Sequence, residues 1–370
     1  MLDGLSGHLK CCPLFCTLLC VLYEEEGDRS LGKFTQIYRG IITWLVRRTS
    51  KRLGSTKIAG RSVSEAKYEK ALFHFGSMCL TMLSKRQVQF SVEQLKELAG
   101  NRISIFNPFL HKNMKMLLLL DNSGDLILEL GLLVPKNTSQ RTTIIPENSF
   151  YQPIQKTFIE YLVAFYFSKL DEISFIDRFG QLQSELNLEH DSLLLILKFT
   201  AGLLGKNAGH IMFRHLWMFD LPVMVLFNLL DESGATTENV KIITSLVGDE
   251  MVLIRSNRIE LDGWADLLLA PDCPIRAIKF IWYNTTDAPF SSAAMERFLR
   301  AFQSNCSVTC LVMRSSMGFF PDDDLVAQMS TFVIRLLKKP HLHHIDLQLM
   351  GDTWSTKIVD AINSSLNYVM

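Results

Sequence analysis

Residues 150–170, FYQPIQKTFIEYLVAFYFSKL, are the most densely aromatic segment of the chain, and their pattern predicts a helix. Phe158, Tyr161 and Phe165 recur at the spacing of one helical face. The other faces are apolar too, because the last fourteen residues of the segment contain one glutamate and one lysine as their only charged groups. A helix that is apolar on nearly every side is buried on more than one side. We therefore expect this helix to lie between domains.

The composition is that of a globular chain. Its 370 residues are enough for several domains, and 48% of them are hydrophobic against 21% charged. A formal net charge of zero disfavours a protein that binds nucleic acid by neutralising many phosphates. The eight cysteines form no paired framework, which favours reduced thiols in a cytoplasmic protein. The apolar run at 11–23 is too short to span a bilayer, so we predict no membrane span.

Two helices are predicted in residues 1–57. An apolar run follows Pro13, and proline is favoured in the first turn of a helix. Thr35 precedes the second apolar stripe and is a candidate cap for that helix. Arg47 and Arg48 lie near its end, where positive charge opposes the negative end of the helix dipole. We interpret these arginines as helix-end charges and not as a nucleic-acid site.

The pattern of residues 65–170 predicts helices followed by a two-stranded hairpin. Ser91 and Gln94 have the spacing of a capping box at the start of one helix. The apolar segment 126–133 leads into the first strand, and residues 143–151 return as the second. Helices followed by a hairpin are the order of a winged helix. We do not expect it to bind DNA, because its charges form no basic stripe.

Residues 171–250 are predicted to add further helices, and residues 251–370 contain a repeat. The spacing Leu-x-x-Leu-x-Leu begins at Ile275, Val308 and Leu342, at intervals of 33 and 34 residues, and helical stripes lie between. A strand and a helix at a fixed interval are typical of a leucine-rich repeat solenoid. An unrelated α/β unit is the alternative.

Side chains alternate across each predicted strand, so the leucine-like residues should point into the interior and their neighbours to the concave face. That face would have charges of both signs around an apolar centre, Val312 with Ile281, which suits a protein partner better than nucleic acid. Because the face is small, we expect weak or transient binding. Its predicted residues are Ala277, Lys279 and Ile281, then Cys310, Val312 and Arg314, then His344, Asp346 and Gln348.

No motif of the sequence predicts catalysis. Residues 27–33 approach a phosphate loop, but Phe34 stands where a serine or threonine must hold magnesium. His341 and His343 share a strand face without a third ligand at metal-binding spacing. We therefore predict no catalytic residue, no cofactor and no metal.

Several segments resemble NOD-like receptors of the NACHT type. Residues 151–164 are similar to the helix that closes the winged-helix domain of that family, and residues 199–205 to part of its second helical domain. Gly131 and the two leucines after it also resemble the family just before the wing. In the first helical unit, Pro13, Leu14, Leu19, Cys20, Thr35, Ile37, Tyr38, Arg47 and Arg48 match. In the closing helix, Tyr151, Thr157, Phe158, Glu160, Tyr161, Leu162 and Ala164 match.

The resemblance implies a chain that is mainly α and then α/β, in four parts. They are a helical domain 1 remnant at 1–57, a winged helix at 65–170, a helical domain 2 at 171–250 and a short leucine-rich repeat solenoid at 251–370. The family's nucleotide-hydrolysing core is expected to be absent, with the chain starting just after it. A proline and a histidine contact nucleotide in the family. These positions correspond to Pro13 and Gln155 here, so ATP binding is not expected.

The function implied by the resemblance is non-enzymatic. We expect an interaction or regulatory protein of cytosolic innate immune signalling, whose partners are other NOD-like receptors or signalling adaptors. Two alternatives stay open. One is a fragment of an ATP-binding NACHT switch protein whose core is missing from this chain, and the other is a plain helical scaffold.

Overall fold

A computed structural model of the chain is mainly helical, with small sheets. The chain divides into two units, Met1–Gly205 and Lys206–Met370. The predicted division into four domains stays a prediction. The structure describes residues 13–26, 33–52, 57–58, 61–87, 89–91, 93–95, 123–136, 150–185, 190–219, 221–247, 250–253, 258–282, 292–315, 334–335, 341–348, 356 and 360.

The first unit contains helices and short antiparallel strands. Its helices are α1 (Pro13–Glu26), α2 (Phe34–Arg52), α3 (Val63–Ser84), α4 (Ser123–Glu129), α5 (Lys156–Phe167), α6 (Glu172–Glu185) and α7 (His190–Leu204). Its strands are β1 (Lys57–Ile58), β2 (Arg61–Ser62), β3 (Phe90–Ser91), β4 (Leu133–Pro135) and β5 (Phe150–Pro153).

The second unit begins with helices and continues as alternating strands and helices. Its helices are α8 (Ala208–Ile211), a 3₁₀ helix (Phe213–Phe219), α9 (Val223–Ser233), α10 (Thr237–Leu246), α11 (Arg258–Leu268) and α12 (Ser292–Ser304). Its strands are β6 (Glu250–Leu253), β7 (Ala277–Trp282), β8 (Cys310–Ser315) and β9 (His344–Gln348).

Helix α5 is the buried helix that its aromatic pattern predicts. It packs against α3 on one side and α7 on another, and so lies between helices of the regions 65–170 and 171–250. Phe158 and Tyr161 are buried, whereas Phe165 is half-buried. The carboxylate of Glu160 is also buried, with the ammonium of Lys156 at 3.9 Å one helical turn away.

The start of this segment differs from the predicted helix. Residues 150–153 form the strand β5, and α5 begins only at Lys156. Pro153 explains part of the difference, because the residue before a proline disfavours the helical conformation. The strand pairs antiparallel with both β3 and β4, so the order in this small sheet is β3-β5-β4. Of the predicted return strand at 143–151, residues 143–149 lie outside the described residues.

Two predicted helix starts have different outcomes. The capping box is confirmed, because the backbone N–H of Ser91 donates to Gln94 Oε1 at 2.8 Å and that of Gln94 donates to Ser91 Oγ at 3.2 Å. The prediction for Thr35 is wrong, because α2 already begins at Phe34. Thr35 is buried inside the first turn, at a place where an added Cβ on Gly202 of α7 would lie 2.3 Å from its hydroxyl oxygen.

The sheet of the second unit is parallel. Its strands follow one another in sequence order, β6-β7-β8-β9. The helix α11 connects β6 to β7, and α12 connects β7 to β8. The two helices pack on each other, and α9 packs on α11 through the edge-to-face contact of Phe227 with Trp264. Alternation of strand and helix is the usual source of parallel strands, since a crossover must return the chain to the same end.

Candidate interaction face on the parallel sheet

The inner side of the parallel sheet is formed by the leucine-like positions of the repeat. Ile278 on β7 pairs with Leu311 on β8, and both side chains are buried completely. Ile275 and Val308, which precede these strands by the same interval, are buried as well. Leu342, the equivalent residue before β9, is only half-buried. The predicted burial is therefore confirmed for Ile275, Ile278, Val308 and Leu311, whereas the side chains at the third positions, Phe280 and Met313, lie outside the described residues.

The outer side contains the predicted partner-binding residues in aligned rows. We call the three rows together the sheet face. The strand register pairs each residue of β7 with one on β8 and one on β9, as the repeat spacing predicts. The rows are Ala277, Cys310 and His344, then Lys279, Val312 and Asp346, then Ile281, Arg314 and Gln348.

The middle row differs from the prediction in the exposure of its centre. Val312, predicted to be an exposed apolar centre together with Ile281, is buried at 7% exposure. Lys279 and Asp346 occupy the same row on either side and are half-buried. The row therefore presents a cation and an anion rather than an apolar centre.

The two charges of the middle row lie two strands apart. Adjacent strands are about 4.8 Å apart, so the backbones at Lys279 and Asp346 are separated by roughly 10 Å. In the next row only the backbone is described at Ile281, Arg314 and Gln348, and their side chains lie outside the described residues. In the first row Cys310 is half-buried and His344 is exposed. The described part of the sheet face is mixed in charge, with Lys279 and Asp346 in its middle row and the exposed His344 in its first.

The fourth strand, β6, was not predicted. Met251 pairs with Ile278, and Val252 pairs with Lys279, which extends the middle row by one residue. The interval from Met251 to Ile278 is shorter than the 33 and 34 residues of the other repeats, and a search for a fixed interval does not find it. The run of apolar residues from Met251 to Leu253 was the sequence feature that could have indicated this strand.

An arginine on α12 joins the two helices that connect the strands. Arg297 donates from Nη1 to Asp262 at 2.9 Å and from Nη2 to Asp266, both on α11. Burial raises the pKa of the Asp266 carboxyl, and the attraction of Arg297 offsets this only in part. Burial alone would lower the pKa of Arg297, but the two carboxylates raise it. The contact fixes α11 against α12.

The amide of Asn305 sets where β8 begins. This buried side chain donates from Nδ2 to the carbonyl of Leu268, at the end of α11, at 2.9 Å. Its Oδ1 accepts from the backbone N–H groups of Ser307 at 2.8 Å and Val308 at 3.0 Å. One side chain thus ties the ends of α11 and α12 to the start of β8, and through it to the position of Val312.

The two positions that correspond to nucleotide contacts in NOD-like receptors lie in the first unit. Pro13 is the first residue of α1, and its side chain lies outside the described residues. Gln155 precedes α5 with an extended backbone and makes no side-chain capping hydrogen bond. The first turn of α5 is instead joined to α2 by the hydroxyls of Thr157 and Tyr38, 2.6 Å apart.

The structure also bears on metal and membrane binding. No three His, Cys, Asp or Glu side chains among the described residues are grouped as a metal site requires. His341, His343 and His344 are all exposed. In the same part of the chain, no helix has both the length and the hydropathy needed to cross a bilayer.

A scan against models of known protein families finds no match for this chain, and a search of curated proteins finds none either. Its function is therefore inferred from the sheet face and from the sequence pattern.

Proposed function

We propose that this chain is a non-enzymatic interaction protein of the NOD-like receptor type that acts in cytosolic innate immune signalling. It binds other NOD-like receptors or signalling adaptors through the sheet face. The observation that carries the proposal is the alignment of Lys279, Val312 and Asp346 in one row of a parallel sheet.

The topology of the second unit supports a short leucine-rich repeat solenoid. Each of the strands β6 to β9 pairs with its neighbour in sequence, and each pair is parallel. Stacked repeats have this order because every repeat contacts only the next one. Such stacking leaves one side of the sheet uncovered by the connecting helices, and that side is available to a partner.

The antiparallel sheet of the first unit supports a winged helix. The helix α3 precedes β3, a capping box follows it at Ser91 and Gln94, and α4 precedes β4. The strands β4 and β5 then pair as the hairpin that the sequence predicts. Helices followed by a hairpin that joins an earlier strand are the order expected of the family's second domain.

The charges of the sheet face favour a protein as the partner. Lys279 and Asp346 present opposite charges in one row, whereas a nucleic acid would require a largely positive face. Interfaces between proteins combine polar groups of both charges with apolar residues. Half-buried charged side chains also lose less conformational entropy on binding than fully exposed ones. This lowers the cost of binding, which matters for a face as small as this one.

The proposal is tested with a triple variant of the full chain, Lys279→Ala, Arg314→Ala and Asp346→Ala. A matched control, Arg39→Ala, Lys136→Ala and Asp272→Ala, removes the same residue types at exposed positions outside the sheet face. Tagged wild-type and variant chains are co-expressed with a panel of NOD-like receptors and their adaptors. Capture of each panel member is then quantified, and unfolding midpoints are measured for every variant.

We expect at least one panel member to bind the wild type and the control but not the sheet-face variant, with unfolding midpoints unchanged. Binding that survives in the sheet-face variant would show that the partner uses another surface. A panel without any binder would refute the proposed partners. A variant that unfolds would mean that the three side chains support the fold and do not form an exposed face.

A further inference from the structure

We propose that two copies of this chain associate head to tail, through two oppositely charged surfaces that are separate from the sheet face. One is the tryptophan face, formed by Arg214, Trp217 and Met218 in the second unit. The other is the α6 face, formed by Ile173, Asp177 and Gly180 in the first unit. Ile173 and Trp217 are the most exposed of the large apolar side chains described, at 74% and 69%.

The geometry of the 3₁₀ helix makes Trp217 point outward. This helix spans Phe213–Phe219, and its side chains repeat every three residues. Phe213 and Leu216 share the buried side, so Arg214 and Trp217 share an exposed side. Met218, beside Trp217, is also exposed. An indole and a guanidinium therefore project together from one surface.

Among the described residues around the tryptophan face, basic groups predominate. The carboxylate of Glu238, at the start of α10, lies 3.9 Å from Arg214 and 3.9 Å from His210. Lys241 follows Glu238 by three residues on α10 and is exposed on the same side of that helix. Arg214 and Lys241 together outweigh the one carboxylate, so the face attracts an acidic surface.

The α6 face has an apolar and an acidic part. Ile173, Asp177 and Gly180 follow the i, i+4, i+7 spacing of one helical side, and all three are exposed. Phe175 and Phe179 form the buried side of α6. The α6 face thus presents an isoleucine, a carboxylate and a glycine in one line along the helix.

The charge of α6 is opposite to that of the tryptophan face. Residues 171–178 contain the carboxylates of Asp171, Glu172 and Asp177 against the guanidinium of Arg178. The backbone N–H of Ser174 donates to Asp171 at 2.8 Å, and this hydrogen bond lowers the pKa of the Asp171 carboxyl. The start of the helix is therefore negative at neutral pH.

Gly180 lies in the middle of α6 and leaves a gap on its surface. Glycine is unfavourable in the middle of a helix relative to alanine. Gly76, Gly202 and Gly263 lie against neighbouring atoms of their own chain, but an added Cβ on Gly180 would meet nothing within 4 Å among the described residues. Packing against the described residues therefore does not explain it, whereas the flat gap that it leaves next to Asp177 can accept an aromatic ring from outside.

The two surfaces complement each other in shape and charge. In the proposed contact the indole of Trp217 packs into the gap at Gly180, and Arg214 on the same side reaches Asp177 next to the gap. Ile173 lies one helical turn beyond Asp177. Tryptophan and arginine are the residues that most often dominate the energy of protein interfaces. Since the two surfaces differ, the contact is heterologous, and mass should rise with concentration.

The first test measures the mass of the full chain by analytical ultracentrifugation over a wide range of concentrations. Wild type should self-associate, and Trp217→Ala should weaken the association by about thirtyfold or more. Gly180→Leu should fill the gap and weaken it equally, without loss of the fold, because its Cβ has open space. The control Leu269→Ala removes another exposed apolar side chain outside both faces and should change nothing.

The second test exchanges the charges. Arg214→Glu and Asp177→Arg should each abolish self-association, because like charges then meet at the contact. An equimolar mixture of the two variants should associate again, and so should the double variant. Wild type that stays monomeric at every concentration overturns the proposal. So does a Leu269→Ala effect as large as that of Trp217→Ala, or a mixture that fails to associate.

Discussion

The hydroxyl of Tyr38 donates a hydrogen bond of 2.6 Å to the hydroxyl of Thr157, which joins α2 to the first turn of α5. The ring of Tyr38 is completely buried, and its centroid lies 5.0 Å from that of Phe158 and 5.8 Å from that of Tyr161. It also lies 5.0 Å from the ring of Phe199 on α7. A single tyrosine thus packs against two further helices of the first unit.

We expect Tyr38→Phe and Tyr38→Ala to separate the hydrogen bond from the ring. Tyr38→Phe keeps the aromatic packing and should lower the free energy of unfolding by about 0.5–1.5 kcal/mol, the net value of one hydrogen bond. Tyr38→Ala also removes the buried ring and should cost about 3–5 kcal/mol, as for other large aromatic truncations. Denaturant unfolding of both variants measures the two values.

A double-mutant cycle with Thr157→Val identifies the partner. If the two hydroxyls interact as the structure indicates, the second substitution should cost little once Tyr38→Phe is present. Strictly additive effects would mean that the hydroxyls are stabilised by other groups.

Truncation of two phenylalanines on α5 should have unequal effects. The pattern of the sequence places Phe158 and Phe165 on the same helical side and predicts a strong effect for both. In the structure Phe158 is buried, whereas Phe165 is half-buried beneath the ammonium of Lys169, 5.3 Å from its ring. Phe158→Ala should therefore cost about 3–5 kcal/mol and Phe165→Ala clearly less. Equal shifts in the denaturation midpoint would contradict this difference.

The helix α5 could be predicted from the sequence because its burial follows a local spacing. The strand β5 directly before it was predicted only in part: residues 150–151 end the predicted return strand, but the aromatic pattern assigns 150–153 to the helix as well, since aromatic and apolar residues are compatible with both. Its pairing with β3 depends on Phe90 and Ser91, which are distant in sequence. Likewise, nothing local indicates that Tyr38 meets Thr157, which is 119 residues away.

The sheet face was predictable in register but not in exposure. The repeat interval and the alternation of side chains are enough to align Lys279 with Val312 and Asp346. Whether Val312 is accessible depends on its surroundings in the folded unit, which the pattern of a single strand does not reveal. The contact of Arg297 with Asp266 joins two of the connecting helices, and the packing of α11 on α12 brings the two residues together.

We expect the chain to show no micromolar affinity for ATP. The sequence has no phosphate loop, and Gln155 has no charge to offer a phosphate where the NOD-like receptor family has a histidine. Isothermal titration of ATP and magnesium into the full chain measures this. The variant Gln155→His is the informative comparison, because it restores the residue type of the family. A micromolar dissociation constant for wild type would favour the ATP-binding switch over the interaction protein.

Two helical glycines should respond in opposite directions to alanine. A Cβ on Gly76 of α3 would lie 2.3 Å from the carbonyl oxygen of Leu162 and 2.9 Å from the Cβ of Tyr166, both on α5. The backbone of α5 would have to move to relieve this overlap, so Gly76→Ala should lower the free energy of unfolding by about 1–3 kcal/mol. The Cβ of Gly180→Ala meets no atom of the described residues, so this variant should raise the free energy of unfolding by about 0.5–1 kcal/mol. Thermal unfolding that shows the same sign for both variants would refute the close approach of α3 to α5.

The Asp266 carboxyl should make a contribution to stability that falls as pH rises. Burial raises its pKa above the ordinary value of 3.8, so the folded state binds this proton more tightly than the unfolded chain does. By linkage, the contribution is fully present below the unfolded pKa and is lost as pH rises through the folded pKa.

The variant Asp266→Asn tests this, because its side chain stays neutral at every pH. Its free energy of unfolding relative to wild type should therefore increase from about pH 3.8 upward and then level off. A difference for Asp266→Asn that is flat or decreases over this window would mean that Arg297 outweighs burial at this carboxyl.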